Sequence, residues 1–263
     1  RRLAIGLENY ANERMQEEIS RLGFPKSAGI RGHTLIKEKK DVGVSSDEKE
    51  FDLIARIDES CKTVKPSTSA FFLIGQAGLG KTELMVNAAF DRARAVEKDP
   101  SSSLPLYLFI SSSGRTLSSL EDAVNSALTI TKVLSSHSAK ALCRNGLLVL
   151  LVDGFDELLG SSGYENALGS LEPWFNELRG RGVLVASARS SYYLTQYRRS
   201  LALATHINVD HTLLELQPWT KVEAKSYLTE MGANESALKS VKEREWPVLS
   251  VPFFAKAFAA WLS

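Results

Sequence analysis

Apolar residues follow two patterns along this chain, and each change of pattern marks an element. Leu3, Leu7, Tyr10, Met15, Ile19 and Leu22 recur near helical spacing and stop at Gly23 and Pro25, which predicts one helix. From Lys26 to Val44 there are glycines and a KEKK cluster but little periodicity, so this stretch reads as a linker or an irregular approach to the main domain. A second helix is predicted near Ser45, where SSDEKEF offers a capping serine with Glu48 three residues later. Phe51, Ile54, Ile57 and Cys61 lie on one side of it, and VKPSTS ends it.

Beyond that point the chain alternates. AFFLIG, LPLYLFI, LLVLLV and GVLVAS are apolar throughout, and helix patterns at about 81–96, 119–134 and 164–179 separate them. Strands with no polar face need cover on both sides, which a parallel sheet between two helical layers supplies. The expected fold class is therefore α/β, a three-layer α/β/α arrangement with a mainly parallel sheet, followed by a small helical domain. The corresponding boundaries are 1–44 for the first helix and linker, 45–212 for the core, and 213–263 for the start of the helical part.

Composition narrows the classes. The 263 residues are 44% hydrophobic and 24% charged, enough for a substantial core. Acidic and basic residues number 31 and 32, so no global field draws the chain to nucleic acid or a membrane surface. Cys61 and Cys143 are too few for a disulfide framework or a zinc site and suit buried thiols in a reducing compartment. No apolar run approaches the roughly 20 residues that span a bilayer, and the first residues are too polar for a signal peptide. A cytoplasmic location without membrane contact is expected. The chain begins without methionine and ends in FAKAFAAWLS, which resembles a helix interior, so an excerpt from a longer polypeptide is expected. His33, His137, His206 and His211 lack metal-ligand spacing, and the pairs Tyr192-Tyr193 and Phe253-Phe254 are expected to pack into cores.

Chemistry concentrates at the end of the first apolar run. Gly75, Gln76, Ala77, Gly78, Leu79, Gly80, Lys81 and Thr82 fit G-x-x-x-x-G-K-[ST], follow a predicted strand and open a predicted helix, the context of a phosphate-binding loop. The glycines let backbone N–H groups turn inward toward phosphates, and the helix N-terminus adds positive potential there. Lys81 would hold the β and γ phosphates of ATP, and Thr82 would offer its hydroxyl to Mg²⁺. Asp153, at the end of LLVLLVD, is the candidate carboxylate for that metal. Asp156 and Glu157 follow closely enough to polarise an attacking water; capping of the next helix is the alternative. Ser111–Ser113 lies at the carboxyl end of a strand, where such folds bind ligands, and a serine-rich turn explains it as well.

These residues resemble a family, the NACHT-type STAND ATPases, which are nucleotide-controlled switches of innate immune receptors and bacterial antiviral proteins. GQAGLGKT, the acidic motif DGFDE and the strand VLVASAR carry the likeness. The resemblance implies that Arg189 reaches the γ-phosphate and that Ser187 stands in for a hydroxyl residue of the sensor strand. Ala188 and Ser190 depart from the threonine and proline often found there. LLELQPWTKVEAKSYL is similar to the family's entry into a helical domain, and Thr220 with Glu223 forms a capping box on its own merits. LSVPFF resembles a proline motif near the adenine, which makes Pro252 a base contact or simply the opening residue of the last helix. The family further implies ATP/ADP with Mg²⁺, slow hydrolysis, self-association on activation by an unknown protein trigger, and effector and sensor domains in the same parent chain.

A second class stays open, an AAA+-like motor or loader driven by ATP along nucleic acid. Gly154 favours the switch, because motor-type enzymes place glutamate directly after the metal aspartate. The near-zero net charge points the same way, and YRRS at 197–200 reads as a solvated helix face.

Overall fold

The computed structural model describes residues 1–22, 36–38, 52–111, 120–131, 134–158, 167–192 and 209–262. Ser45, Glu48, Ser112, Ser113, Tyr193, the YRRS group, His33 and His206 lie outside the described residues.

Among the described residues six strands form one sheet: β1 (Ile36–Glu38), β2 (Thr68–Gly75), β3 (Leu106–Ser111), β4 (Leu148–Asp153), β5 (Val183–Arg189) and β6 (Val209–Leu216), in the order β1-β6-β2-β5-β4-β3. β1 pairs antiparallel with β6, and every other pairing is parallel. All eight residues of β2 and all six of β4 are buried, as their uninterrupted apolar runs predict. Two strands depart from the expected pattern. β1 falls inside the stretch expected to be an irregular approach, and β6 hides its strand character behind Asp210, His211, Thr212 and Glu215.

Alternate residues of each strand feed separate cores on the two faces. Phe72, Ile74, Leu108, Ile110, Leu150, Val152, Leu184 and Ala186 point to one face. There they meet α4 (Leu120–Thr131), α5 (Ser136–Arg144) and α7 (Ala167–Glu177) through Val124, Cys143, Leu171, Trp174 and Phe175. Phe71, Leu73, Phe109, Val149, Leu151 and Val185 point to the other. This side is covered by α2 (Leu53–Lys62) and α3 (Lys81–Lys98) through Ile57, Cys61, Met85, Val86 and Ala89. The three-layer α/β/α expectation is met.

α1 (Arg2–Leu22) packs on α3 and also touches α4 and β3. Leu7 and Tyr10 join one core and Ala11 the other, so α1 lies across the open edge that β3 would otherwise expose. α2 begins at Leu53, where Asp52 holds extended backbone and its Oδ1 accepts the Ala55 N–H at 2.9 Å. Buried Arg92 ties α3 to its neighbours by donating to Asp58 Oδ2 at 2.8 Å and Tyr107 Oη at 2.9 Å.

After β6 come α8 (Lys221–Glu230), α9 (Glu235–Ser240), α10 (Trp246–Leu249) and α11 (Pro252–Leu262) around a small core of their own, with Trp219, Tyr227, Leu228, Trp246 and Leu249. The predicted capping box opens α8: Thr220 Oγ1 accepts the Glu223 N–H at 3.2 Å while Glu223 Oε2 accepts the Thr220 N–H at 2.6 Å. Phe253 and Phe254 are 37% and 47% exposed, against the expectation of a packed pair. α11 buries Pro252, Ala255 and Ala259, and residues one and two steps along a helix from such a face turn away from it. No helix of the described residues is long and apolar enough to cross a membrane.

Candidate functional site

β2 ends at Gly75 on the carboxyl edge of the sheet and α3 starts at Lys81, so the chain must reverse within a short loop. Gly78 and Gly80 make this possible with φ of 83° and 88°, a region that side chains disfavour. Leu79, 3% exposed, anchors the loop in the core beneath, while Gln76 and Ala77 face outward. A Cβ at Gly80 would meet nothing within 4 Å, so the loop opens on that side. No side chain caps α3, which leaves its first-turn N–H groups suited to an anion.

Lys81 folds across this opening. Its Nζ donates to the carbonyls of Gly75 at 2.8 Å and Gln76 at 3.0 Å. Thr82 Oγ1 donates to Asp153 Oδ2 at 2.7 Å, joining the loop to the end of β4. The other carboxylate oxygen, Oδ1, accepts from Ser187 Oγ at 2.6 Å, and Ser187 Oγ in turn accepts the Gly154 N–H at 2.9 Å. Gly154 has a φ of 64°, a left-handed backbone that glycine adopts without strain, and it turns the chain from β4 into α6. Asp153 is 8% exposed. Burial pushes its pKa above the usual carboxylate range; hydrogen bonds from Ser187 and Thr82, the Lys81 charge and the Gly154 N–H oppose that shift.

Thr82 and Asp153 suit Mg²⁺, which takes one or two protein oxygens and completes its shell with phosphates and water. A richer cluster is not required, and among the described residues no group of three or more His, Cys, Asp or Glu could hold a metal.

β5 lies between β2 and β4, and its last residue, Arg189, is the register partner of Gly75. Neighbouring strands sit about 4.8 Å apart, so Arg189 flanks the loop. Its Nε donates to Asp156 Oδ2 at 2.6 Å; the arginine side chain is 51% exposed and the aspartate 3%. Asp156 is the second residue of α6 (Phe155–Leu158), and its carboxylate goes to Arg189, not to the helix end. Glu157 belongs to α6 by its backbone, and its side chain lies outside the described residues. Ser111, at the end of β3, is the register partner of Asp153.

Pro252 is buried and opens α11 as its first residue. Its neighbours reach the loop: a Cβ on Gly78 would lie 3.0 Å from Phe253 Cβ and 3.2 Å from Val251 Cγ1, and the Phe253 N–H donates to the Gly78 carbonyl at 3.1 Å. Lys256, one turn into α11, is ion-paired with Glu83 in the first turn of α3. The loop, Thr82 with Asp153, Arg189 with Asp156, and the start of α11 therefore lie together at the carboxyl edge of the sheet. Glu83, Lys256 and the Phe253 main chain carry no sequence signal, since Glu83 and Lys256 stand 173 positions apart. Sequence marks Ser187 only as a sensor hydroxyl; its hydrogen bonds make it the residue that orients Asp153.

No curated protein matches the chain. Among solved structures it is similar to the Aeropyrum pernix ORC2 protein described as ADPNP-ADP complexes, at 16% identity and a TM-score of 0.47, covering 72% of this chain and 54% of that one. The ADP form of the same protein is similar at 16% identity and a TM-score of 0.42, covering 72% and 55%. The chain thus spans about half the length of those structures. The NACHT domain model matches residues 69–235, from β2 to the first residue of α9. That span contains the phosphate loop, Asp153, Asp156 and Arg189, and the chain belongs to the NACHT domain family.

Proposed function

We propose that the chain is a switch controlled by adenine nucleotide, binding ATP and ADP with Mg²⁺, hydrolysing slowly, and setting the assembly state of its parent protein. Membership of a P-loop NTPase family supports nucleotide binding. The observation that carries the switch reading is Gly154. With a φ of 64° this position suits glycine and would strain a glutamate, which supports the switch over a motor that carries its catalytic acid directly after Asp153.

In this reading Lys81 leaves the Gly75 and Gln76 carbonyls for the β and γ phosphates, and the loop N–H groups hold the remaining phosphate oxygens. Thr82 and Asp153 hold Mg²⁺, which offsets the phosphate charge when bound. Pro252 borders the base. Glu157 orients the attacking water, so Glu157→Gln is expected to keep nucleotide affinity at the parental level while slowing turnover at least about tenfold. Calorimetry with single-turnover hydrolysis checks this, and a parental rate removes the role.

In this reading the parent protein acts in innate immune or antiviral defence in the cytoplasm, with effector and sensor domains in the same polypeptide and a protein trigger. Switching is expected to appear as mass: light scattering of the triggered parent should show a larger assembly with ATP than with ADP, and Arg189→Ala should stay small while still binding ADP. Mass independent of nucleotide, together with hydrolysis that rises several-fold on adding DNA or RNA, replaces this reading with the motor.

A further inference from the structure

We propose that Asp156 sets the discrimination between ATP and ADP by holding Arg189 until a γ-phosphate competes for the guanidinium. The inference rests on the switch reading and goes beyond it by giving Asp156 a role other than polarising water.

Position comes first. Arg189 ends β5 directly beside Gly75, so its side chain starts within reach of the phosphate loop. In this structure the guanidinium is turned to Asp156, with Nε and Oδ2 2.6 Å apart. The two ends of that pair differ sharply in surroundings. The arginine side chain is 51% exposed, so about half of it faces solvent rather than the core. The aspartate is 3% exposed on α6, whose first residue, Phe155, is itself 1% exposed in the core.

Asymmetry of this kind makes the pair a threshold. A γ-phosphate is a stronger partner for arginine than one carboxylate, because its charge is larger and it offers several acceptor oxygens. Drawing Arg189 away leaves a buried carboxylate without its cation, and that is costly. ATP must meet this cost, whereas ADP, lacking the γ-phosphate, leaves the pair closed. The pair therefore lowers affinity for ATP alone, and weakening it raises the preference for ATP. A ligand shifts a conformation only through such differential affinity.

The test is a double-mutant cycle on the chain, with affinities for ADP and for a non-hydrolysable ATP analogue measured by calorimetry in Mg²⁺. Asp156→Asn keeps the shape and removes the charge. It is expected to raise the ratio of ATP-analogue to ADP affinity about tenfold, with ADP affinity unchanged. Arg189→Gln should bring the ratio toward one, and Asp156→Asn combined with Arg189→Gln should match Arg189→Gln alone. Asp156→Ser serves the same purpose if melting shows that the Asn variant does not fold. An unchanged ratio in the folded Asp156 variant, or a ratio that falls, overturns the proposal. A slowed turnover at an unchanged ratio returns Asp156 to the attacking water. Failure of the parent to bind either nucleotide, or Lys81→Ala binding like the parent, removes the switch reading itself, and the proposal with it.

Discussion

Lys81→Ala is expected to lower affinity for Mg·ATP by at least about a hundredfold while leaving the melting temperature near that of the parent. Hydrogen bonds to charged groups contribute about 1.5–3 kcal/mol each, and a lysine spanning two phosphates makes more than one of them. The small effect on folding follows from the geometry of the loop. There Nζ donates to the Gly75 and Gln76 carbonyls at the loop's own edge, and Gln76 is exposed, so water replaces much of what is lost. Calorimetry and thermal melting on the same preparations separate the two quantities. Equal nucleotide binding by mutant and parent sinks the assignment of the loop.

Asp153→Asn is expected to act in opposite directions on function and stability. Metal-dependent affinity for ATP should collapse, because an amide oxygen is a poor substitute for a carboxylate on Mg²⁺. The metal-free chain should melt a few degrees higher. Burial raises the folded-state pKa of Asp153, so ionisation is less favourable in the fold than in the unfolded chain. The linked cost to stability sets in as pH rises above the ordinary carboxylate range and is fully present above the raised value. Asparagine carries no charge to desolvate and can still accept from Ser187 or Thr82. Melting in chelator, beside titration of Mg²⁺ at fixed ATP, checks both halves. A lower melting temperature in chelator shows that the hydrogen bonds to the carboxylate outweigh its burial.

How much of the fold and site is legible in the sequence depends on which contacts are local. β2, β3, β4 and β5 can be read because their central residues, 70–74, 106–110, 148–152 and 183–186, are apolar toward both helical layers. β6 cannot, since of its eight residues only Leu214 and Leu216 are buried, and its parallel place beside β2 is decided by tertiary packing. α5 is hidden for a similar reason, as SHSAKALCR buries only Ala139 and Cys143. In the site, the loop is legible because one short segment holds the glycines, the lysine and the threonine. The pairings Ser187 with Asp153 and Arg189 with Asp156 join positions 34 and 33 apart, and strand order alone decides that they meet. Sequence names Asp153, Asp156 and Arg189 while leaving their partners open. Phe253 and Phe254 show the converse error, in which apolar character suggests burial although the helix presents smaller residues to its core.

The contact of α11 with the back of Gly78 has a mechanical meaning. The loop carbonyl is tied to the Phe253 N–H, and Lys256 is tied to Glu83 one turn further on, so the helix is gripped at two points near one end. Eleven residues make a rod about 16 Å long, and beyond the grip Ala255 and Ala259 bind it into the core it shares with α8 and α10. A shift of the loop at Gly78 would therefore pass to the small helical core as a unit, on whose last helix Trp261 stands 77% exposed. The turn at Gly78 is thus also the joint between the sheet and the small helical core.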